Sequence, residues 1–518
     1  MSNPSLDPAR EEFVPDVVIP HGQLPPLKYR DMPEPVPLRK MIGPSIILAG
    51  LALGSGEYIL WPYITYKSQF VFFWACMLGV TTQYFLNMEI TRWSLATGES
   101  AIAGFVRQSR HWAWIFLLLN VIPWMVPAWA RGAAQLISWL IWEPTFDAQG
   151  KMVIAYEFPL AIGGMFACGA ILTAGPVIYE TMEKIQMLLV SLVLVLVVVL
   201  AAWLLRDRPD AIVAQVSSIC TLGWPEMLPK LDEDITPVLL LGALAFAGAG
   251  GTTNLGQGDY IKDKGYGMGR YIGRITSPIT GQQEAISEVG YHFPHTEDNL
   301  RRWKQWWRAA GTEHFLSFYL TCIVSLILLT LISYVLFYDQ HGQPYERIQM
   351  YEKGIGFVWG EANALQQLIG TPAKILFLVM GVAILLTTEF AVLDVSSRIS
   401  TDIVKVAWLR ESTRWGNSRV YYLFLWGTIL LGSSILLLQA RGWDVNALAM
   451  FKFTAAMNGA VMFLYSITLL ILNRWMLPKP VRTSWWRTLI MLWSILFFGF
   501  FTFWAGYSKV SELLGLSE

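Results

Sequence analysis

Four consecutive residues in the first apolar stretch of the chain combine two glycines with a hydroxyl and a carboxylate: Gly54, Ser55, Gly56 and Glu57. A glycine inside a helix costs about 1 kcal/mol relative to alanine, and a glutamate at membrane depth costs about 2.5 kcal/mol or more. Backbone that leaves a helix at that depth is tolerated only where it is buried in protein or lines a watery cavity. We therefore predict that a membrane helix breaks here and forms half of a binding site.

A similar interruption further along the chain predicts the other half of the site. An apolar run that begins near residue 236 becomes rich in glycine and then polar. The candidate binding residues in this second stretch are Gly248, Gly250, Gly251, Thr252, Thr253 and Asn254. Two broken helices in corresponding positions of two halves are typical of an inverted-repeat transporter with its site at the membrane midplane. Glu57 is the candidate metal ligand of this site.

The elements that must position these residues are membrane helices. Hydrophobic residues make up 54% of the 518-residue chain and charged residues only 15%, which is more apolar than a soluble fold of this length. The prediction is an all-α polytopic membrane protein with about 11 transmembrane helices. The eleven apolar runs lie at residues 41–66, 70–92, 113–141, 159–179, 185–205, 236–258, 315–337, 373–398, 420–439, 445–472 and 485–507.

Charge distribution predicts the orientation of the chain in the cell membrane. With a cytosolic N-terminus, 26 of the 38 lysines and arginines lie in cytosolic segments and 10 in outer ones, as the positive-inside rule requires. An odd number of spans places the C-terminus outside. The formal net charge of zero gives no reason to expect nucleic acid as a partner; the expected partners are a small solute or ion and the lipid bilayer.

This pattern divides the chain into five predicted segments. They are a cytosolic polar tail (1–40), a first five-helix repeat (41–205), an extracellular loop (206–235), a second five-helix repeat (236–472) with a cytosolic loop (260–312), and an eleventh helix with the C-terminal end (473–518). Spans one and six open the two repeats, so the two interruptions occupy equivalent positions.

Several short motifs resemble those of the Nramp divalent-metal transporters. They are Gly43-Pro44 in span one, Trp74-Ala75, Leu78-Gly79, Gln83 and Thr97-Gly98 around span two, and Asn254-Leu255 in span six. The resemblance runs from span one to about span ten. It implies a LeuT-type 5+5 inverted repeat with broken helices 1 and 6, and secondary transport by alternating access.

The chain departs from the Nramp pattern where that family binds its metal. The family's Asp-Pro-Gly-Asn falls on residues 54–57 and its Met-Pro-His on residues 251–253. The acidic pair of span three falls near Val126 and Trp129, which do not titrate. Because the soft thioether ligand and the principal carboxylate are missing, we do not expect Mn²⁺ or Fe²⁺ as the substrate.

Two substrate classes stay open. The hydroxyls and carboxylate of the two interruptions suit a hard, partly hydrated divalent cation such as Mg²⁺, which is the first hypothesis. The glycine-rich break also suits a small organic solute, such as an amino acid or carboxylate, received by helix N-termini. A channel is a third alternative. The sequence has no His-Glu-x-x-His, serine-elbow or paired-carboxylate motif, so an enzyme is not expected.

Further charged and hydroxyl residues inside the spans predict a charge network or an ion-coupling element. In span eight, the spacing of Asp394, Arg398 and Asp402 stacks them on one helix face, where they can neutralise one another. The other candidates are Glu389, Ser396 and Ser397 in span eight, Arg131 in span three and Lys452 in span ten. The two basic residues either snorkel or balance Glu57 or Glu389. The coupling ion would be H⁺ or Na⁺, and no other cofactor is expected.

The long cytosolic loop carries a basic and aromatic segment, residues 300–308, whose sequence is LRRWKQWWR. Clustered indoles and cations suit a helix lying in the headgroup layer. We interpret it as a membrane-surface anchor, with a regulatory lipid site as the alternative. The glycines of residues 265–269 lack the preceding strand of a nucleotide-binding loop.

Overall fold

A computed structural model describes residues 12–37, 41–146, 152–223, 234–277, 287, 289–345, 354–410, 412, 414–443 and 445–514. The α-helices are α1 Pro44–Ala52, α2 Trp61–Ser68, α3 Phe73–Thr97, α4 Ala101–Gln108, α5 His111–Trp124, α6 Ala128–Ile141, α7 Glu157–Ala174, α8 Ile178–Leu205, α9 Pro209–Thr221, α10 Pro237–Ala245, α11 Gly251–Lys264, α12 Glu297–His314, α13 Leu320–Phe337, α14 Gly356–Leu368, α15 Thr371–Ala407, α16 Asn417–Ala440, α17 Ala447–Ile471 and α18 Trp485–Leu513. The described residues also form four two-residue strands: β1 Lys28–Tyr29, β2 Thr145–Phe146, β3 Met152–Val153 and β4 Tyr291–His292.

Membrane helices dominate this architecture. Among the described residues, nine helical stretches are long and apolar enough to cross a membrane by length and composition. The second and sixth predicted spans are also helical, as α3 and as the pair α10 and α11. The prediction of an all-α polytopic membrane protein is confirmed, and the element boundaries lie within a few residues of most predicted ones.

The first and sixth spans are broken, as the sequence predicts. After α1 the chain turns and continues as a π-helix, Gly56–Leu60, which leads into α2. Between α10 and α11 the chain leaves helical geometry, and Gly250 and Gly251 adopt positive φ angles of 73° and 57°. Side chains other than glycine rarely take this conformation, so these two glycines let the sixth span turn.

A third break, in span three, was not predicted. α5 ends at Trp124 and α6 begins at Ala128, with Pro127 as its N-cap and Pro123 inside the last turn of α5. Proline has no backbone N–H and clashes with the preceding turn of a helix. The two prolines therefore separate the halves of this span.

One long helix lies at the centre of the bundle. The 37-residue α15 packs against α1, α5, α6, α8, α11 and α16, while α17 packs against α10, α11 and α18. Both broken spans thus pack against α15, the first through α1 and the sixth through α11. Helices α4, α9 and α14 lie outside the predicted spans.

The N-terminal segment packs along the end of the bundle that is predicted to be cytosolic. β1 pairs in parallel with β4, and the Arg107 guanidinium donates to the carbonyls of His21 and Pro25 at 3.2 and 3.0 Å. Residues 300–308 are helical, as predicted, within α12. However, Trp303 and Trp306 are only 4% and 1% exposed, because they pack inside the protein. The interpretation of these two indoles as a membrane anchor is therefore wrong.

Candidate functional site

The two broken helices meet at a small cavity. Residues from the first break, the sixth span, the broken third span and α15 line it: Leu51, Ala52, Ser55, Gly56, Phe246, Gly248, Ala249, Trp124, Trp129, Thr388 and Val392. The cavity leaves about 10 Å³ for the centre of a water-sized sphere, which is room for about one water molecule. In this conformation a larger ligand fits only after the walls move.

The two breaks touch one another directly. A Cβ atom built on Gly56 would lie 1.6 Å from the carbonyl oxygen of Phe246. Since no real side chain tolerates such a distance, glycine at position 56 is what allows the breaks to approach. Of the predicted binding residues, Ser55, Gly56 and Gly248 line the cavity.

Aromatic rings form one wall of the cavity. Trp124 stacks on Phe246 with 6.2 Å between ring centroids, and Trp129 lies 5.9 Å from Phe246 and 5.4 Å from Trp124. This wall was not predicted from the sequence, although the sequence contains the two prolines that flank the break in span three. The break is what turns Trp124 and Trp129 towards the sixth span.

Two polar groups of the cavity-lining residues have no hydrogen-bond partner among the described residues. They are the Ser55 hydroxyl and the Trp129 indole N–H, and both are buried. Thr388 differs, because its hydroxyl donates to the Ile384 carbonyl of its own helix at 2.9 Å. A buried polar group without a partner costs about 1–3 kcal/mol, so a bound ligand that supplies the partner would be favoured.

Side chains of neighbouring helices cap the break in span six. The Gln83 amide nitrogen donates to the carbonyls of Leu244 and Ala245 at 3.1 and 2.8 Å, and its oxygen accepts from the N–H of Gly250 at 3.0 Å. The Asn458 side-chain oxygen accepts from the N–H of Thr252 at 3.3 Å. These bonds satisfy backbone groups that a helix end leaves open.

The other predicted residues of the second stretch bind within the protein. The Thr252 hydroxyl donates to Asn120 at 2.8 Å and accepts from the Trp124 indole at 2.7 Å. The Thr253 hydroxyl donates to the Ala249 carbonyl at 2.7 Å, and the Asn254 amide donates to the Tyr465 hydroxyl at 2.9 Å. None of these three lines the cavity.

Two glycines among the predicted binding residues also lie elsewhere. A Cβ on Gly251 would lie 1.8 Å from the Asn458 side chain, so this glycine admits the cap from α17 rather than opening the cavity. A Cβ on Gly54 would lie 2.8 Å from the Thr388 hydroxyl, which places Gly54 against α15. Gly250 serves the turn through its positive φ angle.

Glu57 points away from the cavity. Its side chain is fully buried and faces the Ser325 hydroxyl and the Cys322 thiol of α13 and Cys76 of α3. Neither carboxylate oxygen has a hydrogen-bond partner among the described residues. The same residues contain no group of three His, Cys, Asp or Glu side chains that could hold a metal ion. The carboxylate predicted as a metal ligand is therefore separated from the cavity between the breaks.

The predicted charge network of span eight is only partly as expected. Arg398 binds both carboxylate oxygens of Asp394 at 2.9 and 2.8 Å, as predicted. Its other partner is Asp263 of α11, not Asp402. Asp402 instead lies 3.4 Å from the Lys262 amine. One helical turn separates Arg398 from Asp402, but the guanidinium extends towards α11 and so leaves Asp402 to Lys262.

The two basic residues inside the spans pair with groups other than Glu57 and Glu389. The Arg131 guanidinium donates to Glu157 at the start of α7 at 2.5 Å, and the Lys452 amine lies 4.8 Å from the centre of the Tyr63 ring. The Glu389 carboxylate instead meets the backbone N–H of Ala130, in the first turn of α6, where a negative charge stabilises a helix. The proposed balance of charges is therefore wrong.

Of the two serines predicted to hold a coupling ion, Ser396 lies against α5. The carbonyl of Ser396 accepts from the Asn120 amide at 2.9 Å, while the Ser396 hydroxyl has no partner among the described residues. The Ser397 hydroxyl donates to the Leu393 carbonyl of its own helix at 2.6 Å. A sodium site at these serines stays a prediction.

No protein-family model matches the sequence, and no curated protein matches it. Solved structures do match. The manganese transporter of Eremococcus coleocola, in complex with an aromatic bis-isothiourea substituted compound, has a TM-score of 0.64 at 10% identity, over 94% of this chain and 92% of that one. A mutant of the same transporter has a TM-score of 0.63 at 12% identity, with the same two coverages.

A second solved protein has the same fold. MhsT in complex with L-phenylalanine has a TM-score of 0.53 at 15% identity, over 89% of this chain and 98% of that one. Identities this low show the fold alone. The LeuT-type fold implied by the resemblance to Nramp proteins is thereby confirmed.

Proposed function

We propose that this protein is a secondary transporter with alternating access that carries a small organic solute bearing a carboxylate or a similar acceptor group, such as an amino acid. The observation that carries this proposal is the pair of unpartnered groups of cavity-lining residues, the Ser55 hydroxyl and the Trp129 N–H. Both donate hydrogen bonds, and donors suit an anionic or carbonyl oxygen. An indole N–H cannot ligate a metal cation.

The aromatic wall supports the same substrate class. Trp124, Trp129 and Phe246 offer an apolar surface on one side of the cavity, and sites for small organic molecules are mostly apolar with few oriented polar groups. The hard-cation hypothesis loses its carboxylate, because Glu57 faces α13. Among the neighbours of this fold, one is a manganese transporter and the other was solved with L-phenylalanine, so the fold accommodates both classes.

Transport requires the cavity to change size. With about 10 Å³ of free space, the site must expand before it admits an amino acid. The breaks supply the hinge, because helix halves joined by a turn can tilt independently. An ion gradient, of H⁺ or Na⁺, would drive the cycle.

Uptake into proteoliposomes tests this function. The panel contains labelled amino acids and monocarboxylates, together with Mg²⁺ and Mn²⁺, each with and without a pH or sodium gradient. We expect saturable uptake of at least one organic solute, dependent on a gradient, and none of Mn²⁺. Saturable Mg²⁺ flux with no organic uptake would overturn the substrate class but keep the transporter. Solute flux that never saturates would indicate a channel.

The orientation is part of the proposal. We place the N-terminus in the cytosol and the C-terminus outside, on the distribution of lysine and arginine. Single cysteines at Gln305 and Lys509, with the exposed Cys220 changed to serine, test it. A membrane-impermeant maleimide added to intact cells should label position 509 and spare position 305; labelling of both would refute the odd number of spans.

A further inference from the structure

A groove opens on the surface between α3, the junction of α12 with α13, and the start of α18. It lies apart from the cavity between the breaks. Its lining combines basic, aromatic and apolar side chains: Tyr84, Met88, Trp303, Lys304, Trp307, Arg308, Gly311, Thr312, Phe315, Leu316 and Arg487. The groove has a volume of about 520 Å³, which is ample for a phosphate headgroup with part of an acyl chain.

Every charged residue that lines the groove is basic. Lys304 and Arg308 are exposed, and neither has a carboxylate partner among the described residues. Arg487 is held in place, because Glu89 accepts from its guanidinium at 3.1 Å and the Trp307 ring lies 5.0 Å away. Two unpaired cations beside one fixed cation attract an anion.

The floor of the groove is apolar and runs into the membrane. Met88 is buried, and Phe315 and Leu316 are 41% and 51% exposed. These residues lie where the polar α12 passes into the apolar, membrane-crossing α13. Beside them, α18 begins with the exposed Trp485 and Trp486, and tryptophans of this kind mark the membrane interface. The groove therefore spans the headgroup level and the upper acyl region.

We infer that this groove is a binding site for an anionic phospholipid, whose phosphate contacts Lys304 and Arg308 and whose acyl chain lies along Met88, Phe315 and Leu316. A lipid fits better than a soluble phosphate, because a free anion has no apolar part that could contact the floor of the groove. The groove lies on the side predicted to be cytosolic, and the cytosolic leaflet carries the anionic lipids that attract basic segments.

The site borders the helix turn that holds the first broken span. Directly after Thr312, the Glu313 carboxylate accepts from the N–H groups of Gly43 and Ser45 at 3.4 and 3.2 Å, at the start of α1. The His314 ring lies 2.8 Å from the Ser45 hydroxyl and stacks on Tyr84, a groove residue. A lipid bound in the groove would therefore stabilise the contacts that fix α1.

Lipid titration of the full-length protein tests the inference without any transport assay, so its outcome is independent of the proposed function. The purified protein is placed in nanodiscs of phosphatidylcholine with increasing phosphatidylglycerol, and its thermal stability is followed; native mass spectrometry counts the retained lipids. We expect phosphatidylglycerol to raise the melting temperature and to be retained in preference to phosphatidylcholine. Each cation near an anionic surface contributes about fivefold in affinity, so Lys304→Gln with Arg308→Gln should weaken the preference about 30-fold.

Matched variants separate this site from bulk charge. Arg301→Gln with Lys509→Gln removes the same two positive charges outside the groove and should keep the preference. Gly311→Leu fills the groove without changing charge, since a Cβ there meets only the Met88 methyl at 3.4 Å, and should lose the retained lipid. Melting in pure phosphatidylcholine confirms that each variant folds. An unchanged preference in the double groove variant, or equal stabilisation by inorganic phosphate, would overturn the proposal.

Discussion

The two broken helices satisfy their polar groups in different ways. At the sixth span, Gln83 binds backbone groups on both sides of the break. Asn458 binds the N–H of Thr252 at the start of α11. At the first span, the Ser55 hydroxyl has no partner among the described residues. The polar backbone groups beside the break in the sixth span are therefore bound by neighbouring side chains, while the first span keeps one unfilled hydrogen-bonding group, the Ser55 hydroxyl.

This difference indicates which break meets the ligand. At the sixth span the N–H groups of Gly250 and Thr252 already have partners, whereas the unsatisfied Ser55 hydroxyl, at 1% exposure, carries a free-energy cost that a ligand can remove. The contact between Gly56 and Phe246 joins the two breaks. A substitution at either break should therefore affect the other. At the sixth span it should change mainly the stability of the fold, and at the first span mainly the affinity for the solute.

The largest effect is expected where the breaks touch. Gly56→Ala places a methyl group 1.6 Å from the Phe246 carbonyl oxygen, so the two breaks must separate. We expect a loss of about 3 kcal/mol or more in stability and no measurable uptake. Gly427→Ala is the matched control, since nothing lies within 4 Å of its Cβ. Thermal melting in detergent compares the two, and a Gly56→Ala protein as stable as the control would contradict the contact.

The next effect probes the caps of the sixth span. Gln83→Leu leaves the N–H of Gly250 and the carbonyls of Leu244 and Ala245 without their partner, and should cost about 2–4 kcal/mol. Folding should weaken and uptake should fall in proportion to folded protein. Gln186→Leu offers a comparison on α8, where the amide makes one bond, to the Thr387 carbonyl at 3.2 Å. Equal destabilisation by Gln83→Leu and Gln186→Leu would mean that the hydrogen bonds of Gln83 across the break stabilise the fold no more than a single buried hydrogen bond.

A change at the first break should act in the opposite sense. Ser55→Ala removes a buried hydroxyl that has no partner among the described residues, so the free energy of unfolding should rise, by up to about 1–3 kcal/mol. Uptake should nevertheless weaken about tenfold, since one ligand hydrogen bond is worth about 1.4 kcal/mol. The apparent KM in proteoliposomes measures this. A destabilised Ser55→Ala protein with an unchanged KM would reverse the comparison.

The smallest effect is expected at Glu57. If Glu57 bound the substrate, as the sequence alone suggests, Glu57→Gln would abolish uptake. Because the side chain faces α13 rather than the cavity, we expect the apparent affinity to change by less than about 0.7 kcal/mol, or threefold. Stability should not fall, since the amide keeps the volume and removes a buried acid. Abolished uptake by a well-folded variant would return Glu57 to the transport mechanism.

The sequence predicts the fold better than the site, for a physical reason. Breaks in membrane helices are visible as glycine and polar residues in apolar runs, so the first and sixth spans were identified correctly. The direction of a side chain is not visible, because it depends on the local turn. The π-helix after Gly56 turns Glu57 towards α13, and no pattern of residues indicated this.

The sequence also did not indicate which charged residues pair when the two partners lie on different helices. The spacing of Asp394 and Arg398 predicted their ion pair because both lie on one helix. Arg398 pairs with Asp263, Arg131 pairs with Glu157, and Glu389 meets the N-terminus of α6. In each case the two partners lie on different helices, so only the packed structure identifies them. The tryptophan wall could have been anticipated from the two prolines around Met125, which break the third span.

The interaction of the solute with the Trp129 N–H and the Ser55 hydroxyl is the central claim. Equilibrium binding of the transported solute, compared with its neutral analogue that lacks the acceptor group, measures it directly in wild type and in Trp129→Phe. Phenylalanine removes the N–H together with part of the ring surface, and the lost surface affects the binding of both solutes alike. The wild type should prefer the acceptor-bearing solute about tenfold more strongly than Trp129→Phe does. The same preference in both proteins would contradict the claim.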